Sequence, residues 1–313
     1  MARDFLTLED FSSEEIQKLL EETIRLKKGL NKNLKNRPRD GGKPLEGKTL
    51  GMIFTKSSTR TRMGFEVGMY QLGGYAMLLR PDDIQIGRGE SLADTAKIMS
   101  RYLDGLAVRT YEQSDLVELA EHSSIPVINA LTDKCHPCQA VADYATLLEK
   151  KGTLENMKLA YIGDGNNVAH SLITGGALLG VDVSVATPAS HAPDEAVVKK
   201  AGEFIKSSGG SFTLYNDPEK AVKNADAVYT DVWVSMGHEG EAEERNKIFE
   251  GYIVDEKLLE SAKPDCCVMH CLPAYRGKEI SADALDGPQS IVLDQAENKL
   301  HAQKAILEMA LGD

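Results

Sequence analysis

What most constrains this chain is a rhythm. Short apolar runs of strand length alternate with longer stretches of helical period, over residues 49–130 and again from residue 157 onward. In the first series the strand-like runs are Thr49–Phe54, Tyr75–Leu79, Gly105–Arg109 and Ile125–Ala130, with helical patterns near 59–72, 91–103 and 113–122 between them. In the second they are Met157–Gly163, Val183–Ala186, Ser211–Leu214, Ala227–Thr230 and Cys266–Cys271, and Ala296–Leu311 closes the chain as a helix. Such alternation joins parallel strands through crossover helices, so each series predicts a parallel sheet covered by helices. A longer helical pattern, His136–Lys150, runs into Lys151-Gly152, which reads as a hinge between the series. The expected fold class is therefore α/β: two domains, each a parallel sheet flanked by helices, joined by interdomain helices. A length of 313 residues agrees, because single cores stop growing at about 250–300 residues. Residues 1–48 read as one amphipathic helix, about Ser13–Lys28, followed by a Lys/Arg/Asn/Gly-rich loop.

A net charge of −12 argues against nucleic acid or an anionic membrane as the main partner. Any anion site has to be a locally basic island. The N-terminus has no apolar signal core, and no apolar run approaches the ~18 residues of a membrane span. Five cysteines, an odd number, suit free thiols in a reducing compartment, so the expected location is cytoplasmic. Cys135-His136-Pro137-Cys138 has a CxxC spacing, yet Cys266, Cys267 and Cys271 supply no second one. Neither a zinc site nor dithiol chemistry is expected.

Ligands of open α/β sheets bind at the carboxyl ends of the strands. There the first strand passes through Thr55-Lys56-Ser57-Ser58-Thr59-Arg60-Thr61-Arg62 into a helical stretch with two apolar faces, Met63/Val67/Tyr70 and Phe65/Met69/Leu72. A strand feeding a helix through hydroxyls and arginines is an anion cradle. Ser58 or Thr59 is expected to cap the helix, the N–H groups and dipole attract negative charge, and Arg60 adds a planar fork matched to phosphate. The plain alternative is an ordinary N-cap with a surface Arg62–Glu66 pair. The remaining ends of this half deliver Asp82–Glu90, then Arg109, then His136-Pro137-Cys138-Gln139. Guanidinium groups suit an anion, and a His and a Gln suit a carbonyl or amide. Taken singly, His136 reads as a helix N-terminal residue and Arg109 as half of a surface pair.

In the second half, Gly163-Asp164-Gly165-Asn166-Asn167-Val168-Ala169 opens a helix as a dinucleotide fingerprint does. It fails the test, because the third small residue comes one place late and the next strand ends without the acidic group a ribose needs. A dinucleotide-binding dehydrogenase is thus the alternative from another class, and a hinged binding protein without chemistry is a third. Asp231-Val232-Trp233-Val234-Ser235-Met236-Gly237 and His270-Cys271-Leu272-Pro273 complete the strand ends. An Asp and a Cys there suit a cationic amine. A nucleophilic Cys271 needs a paired His, and His270 on a strand points the other way, which disfavours covalent catalysis. The Gly/Glu-rich stretch between Asp231 and Tyr252 reads as a long, lid-like loop.

Taken together, Ser58-Thr59-Arg60-Thr61-Arg62, His136-Pro137-Cys138-Gln139, Asp231 with Ser235-Met236-Gly237, and His270-Cys271-Leu272-Pro273 resemble the aspartate/ornithine carbamoyltransferase family. The likeness runs from about residue 4 to 310, and the last two motifs mark its ornithine type. The resemblance implies transfer of the carbamoyl group of carbamoyl phosphate to the δ-amine of L-ornithine, giving L-citrulline and phosphate. It further implies a role in arginine biosynthesis, no metal or organic cofactor, and a homotrimer with active sites at subunit interfaces. A putrescine carbamoyltransferase is the near alternative. It implies a carbamoyl-phosphate domain at 1–135, on which a C-terminal helix of about 296–313 packs back, and an ornithine domain at 136–295.

Residue by residue, the resemblance implies that Ser58, Thr59, Arg60 and Thr61 hold the phosphate, with Gln85 reaching in from a neighbouring subunit. Arg109 and His136, with Thr61, polarise the carbamoyl oxygen. Gln139 and the backbone carbonyls of Cys271 and Leu272 bind the carbamoyl amide, and the Leu272–Pro273 bond is cis. Asn167, Asp231, Ser235 and Met236 bind the α-amino and carboxylate groups of ornithine. Arg109, His136, Asp231 and Cys271 form the implied catalytic set. One position departs: Lys299 stands where the family usually has an arginine on carbamoyl phosphate. It keeps the charge and loses the fork, and a solvated lysine is its alternative.

Overall fold

The computed structural model describes residues 3–31, 37–38, 42–80, 82, 84–234 and 239–312. It divides into two compact units, Met1–Ala145 with Asn298–Asp313, and Thr146–Glu297. The first contains α1 (Ser13–Lys28), a short antiparallel hairpin of β1 (Leu30–Asn31) and β2 (Arg37–Pro38), then β3 (Thr49–Phe54), α2 (Arg60–Leu72), β4 (Tyr75–Leu79), α3 (Leu92–Met99), β5 (Gly105–Arg109), α4 (Gln113–His122) and β6 (Val127–Leu131). Helix α5 (Pro137–Lys151) starts in this unit and ends in the second. There follow β7 (Lys158–Ile162), α6 (Asn167–Leu179), β8 (Asp182–Ala186), α7 (Glu195–Ser208), β9 (Ser211–Tyr215), α8 (Pro218–Val222), β10 (Ala227–Thr230), α9 (Ala242–Ile248), α10 (Glu256–Leu259), β11 (Cys267–His270) and α11 (Ala282–Asp286). Helix α12 (Val292–Leu311) returns the chain to the first unit.

Each unit is built on one all-parallel sheet, ordered β4-β3-β5-β6 in the first and β11-β10-β7-β8-β9 in the second. The central strands are apolar on both faces because helices cover both, and β5 is buried along its whole length. Ile53, Leu106, Val108, Leu116 and Val127 form the core of the first unit, and Ile162, Val228, Val254, Val268 and Ile280 that of the second. Pairing of β6 begins at Val127, later than the sequence suggests, because Pro126 has no N–H for the ladder.

Two glycines let α12 lie against α2. A Cβ on Gly64 would fall 1.6 Å from Gln303 Oε1, and one on Gly68 3.3 Å from Lys304 Cγ. The two apolar faces of α2 have different fates. Phe65, Met69 and Leu72 are buried, whereas Met63, Val67 and Tyr70 are 51%, 40% and 67% exposed.

Two stretches differ from expectation. The N-terminal region holds the β1–β2 hairpin and a 3-10 turn at Leu8–Asp10 besides its helix. The 231–252 stretch is not one long loop, since α9 forms within it. Arg245 anchors that helix, donating to Asp164 Oδ2 at 2.9 Å and to Trp233 O at 3.1 Å. Phe249 then stacks on Trp233, with ring centroids 5.8 Å apart. Among the described residues no helix is long and apolar enough to cross a membrane.

Candidate active site

The first sheet reverses its strand order between β3 and β5, since β4 lies on one side of β3 and β5 on the other. Such reversals open a crevice at the strand ends. Thr55 ties the two ends together, its N–H and Oγ1 donating to Arg109 O at 2.9 and 3.1 Å. Buried Lys56 braces the turn by pairing with Asp133 and lying 4.0 Å from the Tyr111 ring centroid. Then α2 begins with Thr59 at its N-cap, and neither Ser58 nor Thr59 caps it through a side chain. The expected hydroxyl cap is thus absent: Thr59 has helical backbone angles (φ −85°, ψ −59°), not the extended ones a capping side chain needs. With no acidic residue in that turn either, its N–H donors and positive dipole end stay available to an anion. Arg62 does pair with Glu66 at 2.9 Å. Thr61 is buried, and its carbonyl accepts from Gln303 Nε2 at 3.0 Å.

Arg109 ends β5 at a register break against β6 and is buried, which removes the surface-pair reading. His136, 4% exposed, opens α5, its carbonyl accepting from Gln139 N at 3.0 Å. Lys299 reaches them from α12. At 6% exposure, its Nζ donates to Gln139 Oε1 at 2.8 Å and lies 3.2 Å from His136 Nε2. The solvated-lysine reading of Lys299 is overturned, because it is buried against His136 and Gln139. Gln139 Nε2 donates in turn to Asp143 Oδ1 at 2.8 Å. Burial first, then the charges of Lys299 and Arg109, hold the His136 pKa well below its ordinary 6.5. The imidazole is therefore neutral at pH 7. An ammonium only donates, so Nε2 is the acceptor and the proton sits on Nδ1. Gln85 is exposed on a 3-10 turn, Gln85–Arg88. Among the described residues its side chain makes no hydrogen bond to this cluster.

The second sheet reverses between β7 and β10. Asn166, just past β7, caps α6, its Oδ1 accepting from Val168 N at 2.9 Å and Ala169 N at 3.2 Å. Its Nδ2 donates to Asp231 Oδ2 at 3.0 Å. Asp231 follows β10 and is buried, and its Oδ1 accepts from Val232 N at 2.8 Å and from the Cys271 thiol at 3.0 Å. His270, one residue before, has both ring nitrogens engaged: Nδ1 accepts from Leu272 N at 2.9 Å and Nε2 lies 3.3 Å from Glu279 Oε1. Cys271 thus has a carboxylate partner. The Leu272–Pro273 bond is cis. Asn167 opens α6, its carbonyl accepting from Ser171 Oγ at 2.8 Å. Ser235 and Met236 lie outside the described residues. Asp231, His270 and Cys271 place three ligand-type atoms within 4.8 Å of one another, but each of these atoms already belongs to the hydrogen bonds just given. All five cysteines are free. Burial pushes the Cys135 and Cys138 thiols up to about 12, opposite to the shift of a redox-active CxxC.

Residues 3–149 match the family model for the aspartate/ornithine carbamoyltransferase carbamoyl-P binding domain, and residues 155–310 that for its Asp/Orn binding domain. An ornithine carbamoyltransferase of Thermococcus kodakarensis is 54% identical over 313 residues, 99% of this chain and 96% of the relative. This chain belongs to the aspartate/ornithine carbamoyltransferase family. An anabolic ornithine carbamoyltransferase of Pyrococcus furiosus is also 54% identical, over 99% and 96% of the two chains. The solved ornithine carbamoyltransferase from that organism has a TM-score of 0.93 at 52% identity, covering 99% of this chain and 97% of that one.

Within this carbamoyltransferase, Asn166 and Lys56 brace the strand-end clusters through Asp231 and Asp133, and sequence reasoning passed over both. Asn166 carried a readable signal, since Asn is a favoured N-cap after a strand. Lys56 did not: its partner Asp133 is 77 residues away.

Proposed function

We propose that this protein transfers the carbamoyl group of carbamoyl phosphate to the δ-amine of L-ornithine, giving L-citrulline and phosphate in arginine biosynthesis. The observation that carries the reading is a buried His136 that meets Lys299 at 3.2 Å, with burial and the charges of Lys299 and Arg109 holding its pKa below the ordinary value. Cations suit the phosphate, and a neutral donor suits a carbonyl that must be polarised and not protonated. Ser58, Thr59, Arg60 and Thr61, with the first-turn N–H groups of α2, hold the phosphate, and Lys299 adds charge. Arg109, His136 and Thr61 donate to the carbamoyl oxygen. Gln139 and the carbonyls of Cys271 and Leu272 take the carbamoyl NH2. Asn167, Asp231, Ser235 and Met236 grip the α-groups of ornithine, and the Cys271 thiol helps to fix Asp231. In this assignment residues 1–135, with the helix of about 296–313 packed back on them, form the carbamoyl-phosphate domain, and 136–295 form the ornithine domain.

The uncharged δ-nitrogen attacks the carbonyl carbon, and the C–N bond forms while negative charge grows on the oxygen. The C–O bond to phosphate then breaks, phosphate leaves with the electron pair, and the amine gives up its proton to phosphate or solvent. Preset donors stabilise charge that exists only near the transition state, and alignment of two substrates lowers the entropic barrier. Residues of this chain suffice, so no metal or organic cofactor enters the proposal. The proposed assembly is a cytoplasmic homotrimer in which Gln85 completes a neighbour's site. The exposed Met63, Val67 and Tyr70 face and the exposure of Gln85 support it.

The test is an assay with ornithine, putrescine, N-acetylornithine and aspartate as competing acceptors. Citrulline should dominate, with ornithine preferred over putrescine by at least about a hundredfold in kcat/KM. Comparable rates with putrescine would make this a putrescine carbamoyltransferase, and no carbamoylated product would leave a binding protein.

A further inference from the structure

We infer that Asn166, which is not among the proposed substrate contacts, is the positioning residue for Asp231, and that the N-terminus of α6 dictates which way its amide faces. The inference rests on the proposed pairing of Asp231 with the α-ammonium of ornithine. An asparagine amide has two ends of opposite character. Here one end is fixed by the backbone: Oδ1 accepts two helix N–H groups, from Val168 and Ala169, and the Tyr161 hydroxyl lies 3.4 Å from the same oxygen. Turning the amide over would set NH2 against two N–H donors and oxygen against the Asp231 carboxylate. The helix therefore forces Nδ2 toward Asp231 Oδ2, 3.0 Å away.

A carboxylate offers about four lone-pair sites. Val232 N and the Cys271 thiol take two on Oδ1, and Asn166 takes one on Oδ2. The remaining acceptor site lies on the oxygen that Asn166 holds, so Asn166 sets where an incoming ammonium finds its partner. The loop that carries Asn166 is held by close backbone packing. Gly165 N donates to His191 O at 2.9 Å, and a Cβ at Gly165 would lie 2.4 Å from Pro193 N.

Asn166→Ser and Asn166→Asp separate positioning from capping, because Ser and Asp both cap helices well. Serine is too short to reach Asp231, and aspartate places a second negative charge against it. The readouts are the ornithine KM, the carbamoyl-phosphate KM, and competitive inhibition by L-norvaline, which keeps both α-groups, and by pentanoate, which has only the carboxylate. Loss of a hydrogen bond to a charged group predicts a rise of about tenfold or more in the ornithine KM and norvaline Ki for Asn166→Ser, and a larger one for Asn166→Asp. The carbamoyl-phosphate KM and pentanoate Ki should stay within about twofold, and both variants should remain folded at the assay temperature, since both keep the cap. Asp231→Asn is the control. If it raises the norvaline Ki while both Asn166 variants bind norvaline normally, Asn166 is only a cap and the inference is wrong. If Asp231→Asn leaves the norvaline Ki unchanged, the α-ammonium pairing fails first and takes the inference with it.

Discussion

Replacing Lys299 with methionine removes an ammonium and keeps a stem of similar volume, so packing between α12 and α2 should survive. What is lost is the donor to Gln139 Oε1 at 2.8 Å and the charge 3.2 Å from His136 Nε2. A hydrogen bond from a charged group contributes about 1.5–3 kcal/mol. At 1.36 kcal/mol per tenfold, that is a rise of about 13- to 160-fold in the carbamoyl-phosphate KM. The ornithine KM, measured at saturating carbamoyl phosphate, should move by less than about twofold, because Lys299 is not among the proposed ornithine contacts. Stability should behave differently from binding. Lys299 and Arg109 both act against protonation of His136, so like charges share a site of low dielectric. Removal of the ammonium relieves that repulsion but takes the donor from buried Gln139 Oε1 and His136 Nε2, and a buried acceptor that loses its donor costs about 1–3 kcal/mol. The two effects oppose each other, so the melting temperature should move little while affinity falls. Lys299→Arg should keep or lower the KM, since the fork restores a two-point contact. An unchanged carbamoyl-phosphate KM in Lys299→Met, or an equal rise in both constants, would refute the reasoning.

Arg60→Ala should lower kcat/KM by on the order of 3–4 kcal/mol with little change in melting temperature, and near-normal turnover would sink its phosphate role. His136 gives a pH signature: its folded pKa lies below 6.5, so the unfolded chain binds the extra proton first. Its contribution is fully present above pH 6.5 and is lost as pH falls, at up to about 1.4 kcal/mol per pH unit, and His136→Gln should flatten that part of a denaturant-measured pH profile. Cys138, fully buried and pushed up to about 12, should resist a thiol-specific reagent at pH 8 until the protein is unfolded; rapid labelling of Cys138 in the native enzyme would contradict its burial.

The two sheets were legible because their central strands are apolar runs bounded by polar turns, and burial on both faces permits little else there. The strand-end residues were legible for the same reason, since the sheet order places Ser58–Thr61 and Arg109 at one reversal and Asp231 at the other. What escaped were ties between distant segments. Lys299 reads as a solvated lysine until Gly64 and Gly68 are seen to admit α12 against α2. Helix α9 reads as loop because its anchor, Arg245 to Asp164, spans 81 residues. The missing cap on α2 is the most instructive miss. A hydroxyl in cap position predicts a side-chain bond to the helix, yet helical backbone at Thr59 leaves those donors to a ligand. Local propensity and site chemistry compete there, and the site wins.

The central claim is that a new bond joins the carbamoyl carbon to the δ-nitrogen of ornithine. Carbamoyl phosphate labelled with carbon-13 and ornithine labelled with nitrogen-15 at the δ position test it directly. The carbon resonance of the product should appear as a doublet from one-bond coupling to that nitrogen, growing in step with released phosphate. A singlet growing with phosphate would place the carbamoyl group on the α-nitrogen or on water and contradict the account.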